Sequence, residues 1–333
     1  DSEVTRDVLQ KRTNKNRGED IREVVKEMHF LIANNLILNS PLQVNRIFEH
    51  CLLAGSRMKV DAIKYAIESA ISAANKFAWP EVIVILDKAS NLLSIANQEQ
   101  KDEISFLRAK AFRGVGGQEN RDQARNLTLS LVESQHIDLF DVLYLYLETS
   151  FEEKQKDDLQ QIVTQVEKWR KGTKLKGLSE PLMRFYLISA EVELMGRNRD
   201  RIAYRKGLIA IRGDVEKFTP STDQEGIQQK RLLSIIIQSL AIDYSFETKI
   251  DKKTESLIEE LFSKSEELKK EVNDLQGLAI NMGSRGSYHL FTTKKISIAR
   301  NFLSRDLELC EQMGSRGDMS AIYNKLSMCD WID

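Results

Sequence analysis

Residues 279–291 read AINMGSRGSYHLF and residues 310–322 read CEQMGSRGDMSAI, so MGSRG occurs twice. A phosphate cradle would need a buried strand before the glycines and a Lys-Ser/Thr pair entering a helix. Neither copy has these. In the first copy Leu275, Leu278, Ala279 and Met282 recur at three- and four-residue steps, and the run continues through Gly283 and Gly286 to Leu290. That spacing predicts a helix with Gly283 as a small residue in its middle. The second copy follows a stripe of Ala299, Leu303, Leu307, Cys310 and Met313. Gly314 then falls where a helix stops, and Arg316-Gly317-Asp318 reads as a joining turn with Asp318 as the cap of the next helix. The letters are the same and the expected roles differ.

The same periodicity extends along nearly all 333 residues, while strand-like alternation is nearly absent. In residues 21–39, Ile21, Val24, Val25, Met28, Ile32 and Leu36 share one helical face. Pro41 after Ser40, and Pro80, read as first-turn prolines. Other helices are expected over 101–113, 121–134, 137–151, 155–170, 180–195, 199–211, 226–244, 252–268, 274–291, 296–313 and 318–331. The expected class is all-α, with about fifteen helices stacked in antiparallel pairs as a right-handed α-solenoid.

Bulk composition agrees with an extended helical surface. Hydrophobic residues make up 41%, aromatics 7% and charged residues 30%. Lys and Arg total 49 against 50 acidic residues, so no global field draws nucleic acid or anionic lipid. Cys51, Cys310 and Cys329 form neither a disulfide framework nor a metal-ligand spacing, which suits a reducing cytoplasm. No apolar run approaches the ~18 residues of a membrane span, and LLSIIIQSLAI from Leu232 is interrupted by Ser234, Gln238 and Ser239. The polar segment 1–20 does not read as a signal peptide. The lack of an initiator Met, and an apolar side with Trp331 and Ile332 at the end, lead us to expect a fragment.

A recurring plan places a small residue inside one helix and an alanine early in the next. Ala109 with Ala124, Ala190 with Ala203, and Gly283 with Ala299 fit it. The plan resembles the tetratricopeptide repeat over most of the chain, although the proline after the second helix is missing and the spacings exceed the usual repeat. Residues 27–55 are similar to a second pattern. His29, Ile32-Ala33, Glu49-His50 and Ala54-Gly55 resemble phrases that follow the ATPase core in signalling NTPases with numerous domains, the STAND class. An alanine-rich pair then follows, with Ala66, Ala70, Ala73, Ala74 and Ala89. The resemblance implies a sensor or partner platform with the NTPase lying upstream. It also divides the chain into a polar 1–20, a STAND-associated 21–100 and repeats over 101–333.

Motifs for hydrolysis, zinc or calcium are not found. Four histidines occur, of which His29 and His50 lie on consecutive helices where they can meet. Carboxylate runs at 150–158 and 255–268 alternate with lysines and read as solvated faces. The basic stretch KWRKGTKLKG, Lys168 to Gly177, reads as a helix C-terminus whose cations meet its dipole. Asn126-Leu127-Thr128 matches a glycosylation sequon without other signs of secretion.

These readings lead to a non-catalytic, cytoplasmic interaction module without cofactor or metal, which binds a protein or peptide, or another domain of its own polypeptide. In the repeat register the partner groove is expected at Glu103, Phe106, Lys110 and Arg113, then Arg184, Leu187 and Glu191. It continues at Ser284, Tyr288, Asn324, Met328 and Trp331. The alternatives are the regulatory segment of a larger signalling enzyme and a free receptor for a signalling peptide.

Overall fold

The computed structural model describes residues 21–332 apart from 153–154, 173–174, 197–199, 248 and 315; of 21–22 and 316–318 it describes only the backbone. Among the described residues there are fifteen α-helices and no strand. The chain divides into two compact units, Asp1–Ile137 and Asp138–Asp333.

The first unit contains α1 (Ile21–Asn39), α2 (Val44–Leu53), α3 (Lys59–Ala74), α4 (Trp79–Lys88), α5 (Gln98–Val115) and α6 (Gln118–Leu131). Ser40 does not cap a helix opened by Pro41. Instead Ser40 to Gln43 form a turn, closed by Gln43 N–H donating to the Ser40 carbonyl at 3.0 Å. A residue before proline resists the helical region, so α1 ends there and α2 starts at Val44. Pro80 does occupy the first turn of α4. That helix stops at Lys88 and yields to a 3₁₀ turn at Ser90–Leu92. Asn97 then caps α5 through a reciprocal box, receiving the Gln100 N–H at 2.8 Å while Gln100 Oε1 receives the Asn97 N–H at 3.1 Å.

Phe48, Ile47, Ile63 and Leu86 are almost wholly buried, and Ile104, Leu107 and Ala111 of α5 complete the same core. At ~1.5–3 kcal/mol for each large apolar side chain, α5 is bound into this unit by packing. The compact division falls after Ile137. Gly114 permits the closest approach within it, since a Cβ there would stand 2.4 Å from the Trp79 ring. Val25 departs from the expected face of α1 and is 43% exposed.

The second unit runs α7 (Leu139–Phe151), α8 (Lys156–Gly172), α9 (Ser179–Met195), α10 (Arg201–Lys217), α11 (Asp223–Ser245), α12 (Lys252–Glu271), α13 (Leu275–Tyr288), α14 (Ile296–Met313) and α15 (Arg316–Ile332). Sequential neighbours pack together, most extensively α11 on α12 and α13 on α14. Leu143, Leu147, Ile162, Leu182, Met183, Leu208 and Phe262 fill the core.

The first MGSRG lies inside α13, as its periodicity predicts. A Cβ on Gly283 would meet Asp306 Oδ2 at 2.4 Å, and one on Gly286 would meet Leu303 Cγ at 2.8 Å. These glycines make room for the Asp306 and Leu303 side chains of α14 against α13, and Ala299 is fully buried beside them. In the second copy Gly314 ends α14 in the left-handed region at φ +69°. The backbone of α15 starts at Arg316, so Asp318 sits in its first turn and not at the cap. The α9–α10 contact corrects another expectation: Ala203 is exposed, and Gly207 takes the close position, with Ile188 Cδ1 3.1 Å from a notional Cβ. Finally, α13 ends at Tyr288 and continues as a single π-turn, His289–Thr293, which Lys294 closes in the left-handed region.

Candidate functional site

On α5, Glu103, Phe106, Lys110 and Arg113 recur at three- and four-residue steps, and all retain some exposure. Lys110 Nζ lies 5.7 Å from the Phe106 ring centroid, a cation–π contact on the surface. Burial and the neighbouring Glu99 carboxylate raise the Glu103 pKa.

The other expected groove residues belong to the second unit. Arg184 on α9 is engaged by Asp214 at 2.7 Å and Glu180 at 3.5 Å, while Leu187 is half-buried and Glu191 exposed. Ser284 faces α11, where its Oγ receives Gln238 Nε2 at 3.2 Å. Tyr288 is a correction. Only 3% exposed, it packs its ring on Phe262 and His289, so it is a core residue and not a groove contact. On α15, Asn324, Met328 and Trp331 share the face opposite the buried Ile322 and Cys329, with Met328 44% and Trp331 88% exposed. The expected positions thus form separate surface stripes on α5, α9 and α15. α9 packs chiefly on α7, α8 and α10, and α15 packs on α14.

Two polar clusters escaped the sequence reading. The run 255–268 is only partly a solvated face. Glu259 accepts from Arg285 Nε at 2.8 Å, and its Oε1 lies 2.9 Å from His289 Nε2. Glu266 binds Lys270 at 2.6 Å and Arg305 at 3.0 Å, while Arg285 reaches it at 3.6 Å. Burial pushes both carboxyl groups upward, yet their cationic partners hold them below the ordinary glutamate value. Arg285 and His289 also stack on Phe302, at 4.3 Å and 5.7 Å from its centroid. Arginines on α13 and α14 opposite a glutamate row were the available signal, but only packing shows which glutamates they meet.

The second cluster surrounds Lys269, which is wholly buried. Its Nζ donates to Gln238 Oε1 on α11, and burial lowers its pKa to about 8 against the pull of Asp274 and Glu148. No sequence pattern marks it, because i,i+4 spacing places lysines equally well on wet and dry faces.

The basic stretch behaves as a helix end. Trp169 is buried against Tyr146 at 5.1 Å, and Arg170 and Lys171 occupy the last turn of α8. Residues 173–174 lie outside the described part. Thr128 of the sequon is buried and bonded to the Ala124 carbonyl at 2.8 Å. The shallow hollow at Pro220–Lys230 is open, with about 700 Å³ of space. Among the described residues no group of three or more His, Cys, Asp or Glu is placed to hold a metal, and no helix is long and apolar enough to cross a membrane. No protein-family model matches the chain, and no curated protein matches it at significant similarity.

Proposed function

We propose that the chain is a tetratricopeptide-like interaction module of the cytoplasm, whose stacked helices hold a protein or peptide partner without catalysis. The α15 face carries this reading. Trp331, Met328 and Asn324 stand in solvent on the side turned away from the helix packing, with Tyr323 on the flank at 51% exposure. Tryptophan and tyrosine are the residue types that dominate binding energy at protein interfaces, and a preformed helix loses little entropy on binding. The surface stripe on α5, with Phe106 under Lys110, has the same mixed character.

A random peptide library selected on the intact chain tests the reading. Selected peptides should lose at least about tenfold in affinity to the double variant Trp331→Ala/Met328→Ala or to Lys110→Glu. The melting temperature should not change, because these side chains lie outside the core. If nothing is selected, or both variants bind as the parent does, the module reading fails.

A second reading, the regulatory segment of a larger signalling enzyme, is favoured by one contact. The two phrases that resemble the STAND pattern meet at His29 and His50, 2.8 Å apart. The intact mass of the native polypeptide decides it: a catalytic segment joined to this chain supports it, and a mass near 38.2 kDa removes it.

A further inference from the structure

His29 on α1 faces His50 on α2 with Nδ1 to Nδ1 at 2.8 Å and ring centroids 5.0 Å apart. At that separation the two nitrogens have room for one proton between them. One Nδ1–H donates to the other ring's lone pair, and the pair carries zero or one charge. Two imidazolium rings would instead point two N–H donors at each other with no acceptor between them. Burial, then His29, then Arg46 lower the proton affinity of His50, while Glu49 acts the other way.

The surrounding charges are committed elsewhere. Glu49 takes Lys88 of α4 at 2.5 Å, Arg46 donates to Gln43 at 2.6 Å, and Lys26 pairs with Glu23 at 2.7 Å. Glu27 pairs with Arg57 of the turn Gly55–Met58, and Asp61 of α3 acts on Cys51. These carboxylates are paired with cations away from the two rings, and Glu49 is the smallest of the influences on His50, so its pull does not offset burial and the facing ring.

Among the described residues, the helix that would respond has few neighbours. α1 packs chiefly on α2 and on the turn Gly55–Met58, and buries Ile32, Ala33 and Leu36. By contrast α3 packs on α2, α4 and α5. We propose that the His29–His50 contact is an acid-sensitive latch, which keeps α1 docked while the pair holds at most one proton and releases it when both rings are protonated. Because the folded state depresses the second protonation, the contribution of the latch is complete above the ordinary histidine range and is lost as pH falls below it.

Hydrogen exchange on the full chain at pH 7.5 and 5.0, corrected for intrinsic rates, tests the latch. Protection of α1 should drop by about tenfold or more at pH 5.0 while that of α12 holds, as expected for sub-global opening. His29→Asn should abolish the pH response, and His136→Gln, at an exposed site, should retain it. Equal α1 protection at both pH values, or a response that persists in His29→Asn, overturns the proposal. Should His29→Asn leave α1 undocked even at pH 7.5, ring titrations of the unmodified protein decide. Two steps separated by more than about one pH unit support the shared proton, and two coincident ordinary titrations overturn it.

Discussion

Lys269 shows what one side chain does when helical periodicity turns it inward. Its ammonium is fully buried, with Gln238 as acceptor, and its pKa falls to about 8 from 10.5. A base whose folded value is depressed costs stability in full below the folded value, and the cost disappears as pH rises through the unfolded one. Replacing it by methionine removes that titration. Between pH 7 and pH 10 the unfolding free energy of the parent should therefore rise by about 2–3 kcal/mol relative to Lys269→Met. Parallel denaturant titrations at the two pH values measure it, and a constant difference would show that the ammonium is solvated. Nothing in the local sequence announces this residue: the run around it reads as a charged surface, and the partners come from α11, α13 and α7.

At the scale of elements, glycine position decides how closely helices approach. A Cβ on Gly286 would stand 2.8 Å from Leu303 Cγ and 3.4 Å from the Ala299 carbonyl oxygen, so a methyl group has nowhere to go. Gly286→Ala should cost about 1–3 kcal/mol through overpacking of α13 against α14. Gly213, inside α10 with nothing within 4 Å of a notional Cβ, gives the opposite sign. Gly213→Ala should gain about 0.5–1 kcal/mol, since only the chain entropy of glycine is lost. Thermal melts of the two variants separate these effects; equal shifts would refute the packing argument. The α13 register was legible because apolar residues flank both glycines at helical steps. At α9–α10 the same reasoning chose Ala203, one turn away from Gly207, because either residue satisfies a small-residue rule and only the helix crossing selects between them.

For the whole molecule, each compact unit has its own core. Ile104 and Leu107 of α5 are buried with Phe48, Ile63 and Leu86 of α2, α3 and α4. Ile104→Ala should cost about 2–5 kcal/mol by leaving a cavity there. Native-state hydrogen exchange should show the loss over α2 to α6 while α12 to α14 keep their protection. A loss spread evenly over both units would mean that they unfold as one. The change in motif character near residue 100 leaves no mark on the packing, because the core of the first unit runs on through Ile104, Leu107 and Ala111. Where apolar contacts stop is something no local pattern reports. The expected groove met a similar limit. Residues at three- and four-residue steps do share stripes on α5 and α15, but Tyr288 lies in the core, its ring packed on Phe262 and His289.

By itself the sequence determined the helical class, most helix centres, and the divergent roles of the two MGSRG copies. Those properties follow from periodicity, proline and glycine, which act within a few residues. Tertiary structure alone decided which glutamates meet Arg285 and His289, which small residue sits at each helix crossing, and where Lys269 is buried. It also set His29 beside His50 at the distance of a shared proton. Each of these depends on the rotation and approach of one helix against another, and that geometry is fixed by packing across the core, not by spacing along the chain.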